Sequence, residues 1–162
     1  MLEPDCRRQA FPELRNPVSI RAGPEGGVIL EQIKDAADDG IIILAADDPT
    51  LVNALQRSAA VVLQKSTREG FGLTVTEAMW KGAAVIGGDV GGIRHQIKDE
   101  WNGYLVSTPE QAAARMVQLL KDPKLRKQVG SRAKESVRQN FLMSRLLEDW
   151  LDLLCKYERP VI

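Results

Sequence analysis

The sequence predicts an α/β fold, a Rossmann-like parallel sheet with helices on both faces. Three observations predict it. Short apolar runs alternate with helix-period segments from residue 18 to residue 106. The run Val61-Val62-Leu63 reads as a strand buried on both faces, and Ala83–Gly87 as a second. Glycine-bearing loops follow both runs, Gly70-Phe71-Gly72 after the first and Gly87-Gly88 with Gly91-Gly92 after the second. Two loops therefore leave the same end of neighbouring parallel strands, where ligands bind in an open α/β sheet.

The elements follow in order. Residues 1–23 read as an irregular segment with three prolines before residue 18 and one candidate strand, Val18-Ser19-Ile20, and residues 24–162 as the Rossmann-like domain with C-terminal helices. Val28, Ile29, Ile33 and Ala36/Ala37 recur at helical spacing, and Ile41–Ala45 is a wholly apolar strand. Asp48 and Pro49 read as an N-cap with proline at the first helical position. After the first glycine loop, Thr74–Lys81 are good helix formers, and Gly82 ends them. Arg94–Asp99 reads as a short helix, Asn102-Gly103 as a turn, and Tyr104–Val106 as a last strand. Ser107 is expected to cap the next helix, with Glu110 in the capping-box position. Asp122-Pro123 repeats the cap-plus-proline device and opens a helix to about Phe141. A final helix, about Ser144–Tyr157, carries Leu146, Leu147, Trp150, Leu151 and Leu154 on one stripe. Met79 and Trp80 are expected in the core, Trp150 in the core or on an apolar stripe left exposed where no further domain covers it, and His95 at the surface or at a cap.

Composition narrows the function. A chain of 162 residues is one domain by length and large enough for a core. Lys+Arg and Asp+Glu are both 22, so net charge offers nothing to nucleic acid or an anionic membrane. Aromatics at 5% are too sparse for base-stacking surfaces. Cys6 and Cys155 lack metal spacing and read as free thiols in a reducing compartment. No apolar run approaches the ~20 residues of a membrane span, and MLEPDCRRQA has no apolar stretch to act as a signal peptide. The expectation is a cytoplasmic protein with no nucleic-acid or membrane partner.

The stretch 61–93 carries the chemistry. Gly70 and Gly72 remove side chains at a strand end, so N–H groups can approach a ligand closely. The helix behind them offers unpaired N–H groups and a positive dipole end, which phosphate favours. Thr74 and Thr76 add hydroxyls. A bare helix cap with no ligand explains the loop equally well, and the pattern is not the G-x-G-x-x-G dinucleotide fingerprint. Glu69 sits in the loop and Glu77 eight residues on, about one turn into the helix. A carboxylate can accept two hydroxyls of a sugar or ribose. The alternative is that Glu77 complements the helix dipole and Glu69 is solvated.

Arg68-Glu69-Gly70-Phe71-Gly72-Leu73-Thr74-Val75-Thr76-Glu77-Ala78-Met79, continued by Lys81-Gly82, Val85-Ile86-Gly87 and Val90-Gly91-Gly92-Ile93, resembles the E-x7-E signature of retaining glycosyltransferases of the GT-B fold. Within them it is most similar to the trehalose glycosyltransferring synthase and trehalose phosphorylase branch. The resemblance runs from about Pro24 to Tyr157. It implies that Glu69 contacts the transferred sugar near the reacting face, as the catalytic carboxylate. It implies that the N–H groups of Gly70, Phe71 and Gly72 also face the sugar, that those of Leu73 and Thr74 face the diphosphate, and that Glu77 takes the ribose hydroxyls. Arg68 adds positive charge, and Gly91 and Gly92 form the second glycine loop. The donor it implies is UDP- or ADP-glucose, transferred with retention by front-face attack, with no cofactor and no metal.

The chain departs from that pattern. A GT-B enzyme closes its site between two Rossmann-like domains, and 162 residues hold one. The chain resembles the donor-binding half, and the first strand of that half, with its diphosphate-binding Arg and Lys, is not recognisable. Two functions follow. The chain is either the donor-binding half of a retaining glycosyltransferase, working with an acceptor-domain chain or as a homo-oligomer, or a non-catalytic domain that binds a nucleotide sugar weakly or serves only in association.

Overall fold

The computed structural model describes residues 48–157. The expected strands Val18–Ile20 and Ile41–Ala45 and the helix beginning at Val28 lie outside the described residues. The chain divides into two compact units, Met1–Ser58 and Ala59–Ile162. Of the first unit the described part is α1 (Pro49–Ser58). Asp48 caps it as expected, its Oδ1 accepting the Thr50 N–H at 2.8 Å.

The second unit runs β1 (Val61–Gln64), α2 (Leu73–Trp80), β2 (Ala84–Gly88), α3 (Ile93–Gln96), β3 (Tyr104–Val106), α4 (Pro109–Lys121), α5 (Pro123–Asn140) and α6 (Met143–Tyr157). The described strands form one parallel sheet in the order β1-β2-β3. Val61 pairs with Ala84 and Gln64 with Gly87, so β1 and β2 end side by side and both glycine loops emerge at that end. Every residue of β2 is buried. β1 is only half-buried, with Leu63 41% exposed, against the expectation of burial on both faces. Among the described residues it has a strand neighbour on its β2 side alone.

Helices cover both faces, as predicted. Val85 points into a cluster with Val75, Ala78 and Met79 of α2, Ile93 of α3, Ile97, and Ala133 and Val137 of α5. Its strand neighbours Ala84 and Ile86 point the other way, onto Tyr104, Val106, Ala112, Leu119 and Val129. The alternation is the period of two of a strand. Because Val129 joins one cluster and Ala133 and Val137 the other, α5 spans both layers.

The helix ends hold several departures from the sequence reading. α2 closes in a Schellman turn: Gly82 N–H donates to Met79 O at 2.9 Å and Ala83 N–H to Ala78 O at 3.1 Å, with Gly82 at φ 78°. α4 is capped by Thr108 with Gln111 as its reciprocal partner, not by Ser107 with Glu110. Pro109 decides this. It has no N–H and suits the first helical position, which moves the cap to the residue before it. The Thr108 hydroxyl instead holds the Glu110 carboxyl below its ordinary range. Asp122 caps α5 as expected, accepting from Lys124 and Leu125 N–H at 3.0 and 2.9 Å. α3 stops at Gln96, earlier than expected. Trp80 and Trp150 are 40% and 55% exposed, Trp80 against its expected place in the core and Trp150 in keeping with the exposed alternative. Trp80 lies under the Lys134 ammonium. Trp150 belongs to the apolar stripe of α6, which is exposed along its whole length. Among the described residues no helix is long and apolar enough to cross a membrane.

Candidate functional site

The first glycine loop presents its backbone, and the second holds it in place. Gly72 precedes α2 at φ 90° and ψ 53°, a left-handed conformation suited to glycine, and no side chain caps the helix there. The first ladder bonds run from Val75 and Thr76 N–H to Gly72 O, at 3.0 and 3.3 Å. The N–H groups of Gly70, Phe71, Gly72, Leu73 and Thr74 meet no hydrogen-bond acceptor among the described residues. Gly70 has open space where a Cβ would stand.

The carbonyls of this loop, by contrast, are tied down. Gly92 N–H donates to Gly70 O at 3.0 Å and to Glu69 O at 3.4 Å. Gln96 Nε2 donates to Phe71 O. Contact between the two loops is so close that only glycine fits on the second one. A Cβ on Gly91 would stand 1.7 Å from Glu69 O, and one on Gly92 2.4 Å from Gly70 O. One on Gly88 would stand 2.8 Å from Ser66 O. Gly91 and Gly92 therefore brace the first loop, and the Arg94–Asp89 ion pair at 2.6 Å closes the brace across its own loop.

The predicted side chains differ in where the structure places them. Glu69 is half-buried, and its Oε2 accepts from Ser66 Oγ at 3.1 Å, while that hydroxyl accepts from Gln64 Nε2 at 2.9 Å. A short relay from the end of β1 thus fixes the carboxylate. Phe71 turns its ring edge-on to Phe141, at 6.0 Å, leaving its backbone as the part on offer. Thr74 is half-buried, and Leu73 is 67% exposed at the first position of α2. Glu77 lies on the exposed side of α2, and Arg68 is exposed in the loop. His95 is at the surface, as expected. The geometry brings 69–72 against 91–92 and leaves Arg68 outside that contact.

Matched against known proteins, residues 29–136 fit the family described as glycosyl transferases group 1. The chain belongs to that family. This group 1 chain is 53% identical over 103 residues to the trehalose synthase of Pyrococcus horikoshii, covering 64% of itself and 25% of that protein. It is 51% identical over 105 residues to the trehalose synthase of Rubrobacter xylanophilus, covering 65% of itself and 25% of that protein. It spans about a quarter of the length of these curated relatives. Among solved structures, the C-terminal domain of the group 1 protein LpcC of Francisella tularensis superposes with TM-score 0.68 at 28% identity, over 75% of this chain and 67% of that one. The fold is the Rossmann-like half of a GT-B glycosyltransferase, as the sequence predicted. Anabaena HepE, solved in complex with UDP-glucose, shares this fold with TM-score 0.78 at 17% identity, over 96% of this chain and 54% of its own.

Sequence reasoning missed Gln64, Ser66, Gln96 and Asn102 as supports of this glycosyltransferase loop. Gln96 left a legible signal. Ile93, Gln96 and Ile97 are spaced i, i+3, i+4, so a polar residue sits on an apolar face. Asn102, read only as a turn residue, is fully buried and bonds back to the Gln96 carbonyl at 3.2 Å.

Proposed function

We propose that this chain is the donor-binding half of a retaining glycosyltransferase that takes a nucleoside-diphosphate glucose, with UDP- or ADP-glucose as donor and trehalose-type transfer as the reaction. The observation that carries the reading is the row of unengaged N–H groups from Gly70 to Thr74, which in the sequence lies between Glu69 and Glu77. Leu73 and Thr74 would offer their N–H groups to the diphosphate at the positive end of α2. Glu69 would take hydroxyls of the transferred glucose, beside the N–H groups of Gly70, Phe71 and Gly72, and Glu77 would take the ribose. As the glycosidic bond to the diphosphate breaks, negative charge grows on the leaving oxygen, and N–H groups already pointed there stabilise it without reorganising. Front-face attack, with the leaving phosphate accepting the acceptor's proton, gives retention; neither metal nor cofactor enters this scheme.

The likeness to trehalose synthases supports the glucose donor, and the UDP-glucose bound by HepE supports the nucleotide. The acceptor side would come from an acceptor-binding domain or from a second copy of this chain, and the exposed apolar stripe of α6 is the surface left for it. Isothermal titration of the full chain with UDP, ADP and their glucose esters tests the reading. Binding no tighter than high-micromolar is expected, and Glu77→Ala should abolish the preference for ribose-bearing ligands over inorganic pyrophosphate. Absence of heat at millimolar ligand would refute it. Glucosyl transfer by this chain alone is not expected, because positioning the acceptor can supply about 7–11 kcal/mol of barrier lowering.

A further inference from the structure

We propose that Gln96 is a positioning residue that aims the Gly72 N–H at the donor. The inference rests on the donor-site reading above. A trans peptide holds its C=O and N–H antiparallel within one plane, on opposite sides of the C–N bond, and no described peptide is cis. Fixing a carbonyl on one side therefore directs the next residue's N–H to the other. In this loop the Glu69 and Gly70 carbonyls are held by Gly92 N–H, which directs the Gly70 and Phe71 N–H groups away from the second loop. Among the described residues the Phe71 carbonyl has no backbone donor. Gln96 Nε2 supplies one, and so directs the Gly72 N–H to the same side.

Gln96 is itself immobilised. It is 2% exposed, and its own carbonyl accepts from Asn102 Nδ2 at 3.2 Å. Asn102 Oδ1 in turn accepts the Lys98 N–H at 2.7 Å, so the turn before β3 locks the end of α3. The carboxamide lies beside Gly72: a Cβ there would stand in ordinary contact with Gln96 Oε1, at 3.6 Å, and more tightly against Ile93, at 3.0 Å. That Oε1 is buried and has no hydrogen-bond partner among the described residues. An unpaired buried oxygen opposes stability, and a methionine has a similar length without that oxygen. What glutamine alone adds is the donor to Phe71.

Gln96→Met tests this in the full chain, with backbone N–H resonances followed by 15N NMR during titration with UDP-glucose. In the wild type the Gly70–Thr74 resonances should shift on binding. In Gln96→Met the Gly72 shift should be lost, Leu73 and Thr74 should still shift, and affinity should fall about tenfold, equivalent to about 1.4 kcal/mol. Gln96→Glu keeps the side-chain volume. Its protonated form can donate to Phe71 O, so its affinity should recover as pH is lowered. A wild type with no shifted resonances would overturn the donor site itself. A shifting wild type whose Gln96→Met variant keeps the Gly72 shift and its affinity would overturn only the positioning role. Loss of fold in both variants would make Gln96 a structural residue and would equally overturn it.

Discussion

Substitution of Gly91 by alanine should damage both stability and donor binding, although Gly91 is expected to touch no ligand. Its methyl group would stand 1.7 Å from the Glu69 carbonyl oxygen and 2.8 Å from the carbonyl carbon. The loop must withdraw by roughly 1.3 Å before that oxygen is even 3.0 Å away. Gly91 also sits at φ 45°, where an alanine costs about 1–2 kcal/mol. Relieving the overlap adds about 1–3 kcal/mol, so the total is about 2–5 kcal/mol. A displacement near 1 Å in a positioning element can lower turnover about a hundredfold, and the same displacement at Glu69 should remove measurable donor binding. Gly70→Ala is the matched control. Its methyl group enters open space, so stability should change by less than about 0.5 kcal/mol, while binding weakens because the methyl stands at the cradle. Urea denaturation and UDP-glucose calorimetry on both variants separate the effects. A Gly91→Ala chain as stable as the wild type, or a Gly70→Ala chain as unstable as Gly91→Ala, would refute the bracing argument.

Gly130→Ala in mid-α5 should destabilise by about 1–3 kcal/mol, although alanine for glycine in a helix ordinarily gains about 1 kcal/mol. Its methyl group would stand 2.1 Å from Gly82 O, in the turn that ends α2, and an unchanged or raised urea midpoint would contradict this. Burial pushes the Tyr104 phenol above its ordinary value despite the Arg115 guanidinium over its ring, which opposes the shift. The unfolded phenol then ionises first, so this contribution to stability is complete below about pH 10 and lost as pH rises through the folded value. Tyr104→Phe should flatten the alkaline limb of Tm against pH, and superimposable curves for the two proteins would refute the assignment.

Much of this architecture was legible because local and tertiary preferences agree. The apolar runs at 61–63 and 83–87, the caps at Asp48 and Asp122 and the glycine at 82 each state a local preference that the packing leaves intact. The misreadings occur where a choice between neighbours was settled outside the local pattern. Ser107 and Thr108 are both good caps, and the proline that follows Thr108 chose between them. Trp80 and Trp150 are apolar by composition, but nothing in a helical stripe says whether a partner covers it. On α6 none does among the described residues.

The candidate site divides in the same way. The residues offered to a ligand lie within twelve positions of one another and form a compact motif, so the string 68–79 displays them together. Gln64 and Ser66, which fix Glu69, lie just before it, but the residues that hold the loop carbonyls or let the loops meet lie about twenty to thirty positions further on, at Gly88, Gly91, Gly92 and Gln96. Only the parallel pairing of β1 with β2 brings the two sets together. Gly70 and Gly91 look alike in the sequence, yet one is open to solvent where a Cβ would be and the other is pressed against a carbonyl. The first would keep a side chain out of the ligand's path, and the second lets one backbone lie on another. The motif therefore names the atoms that would meet the donor, while their direction is set by contacts across the sheet end, from the Gly92 backbone and the Gln96 side chain.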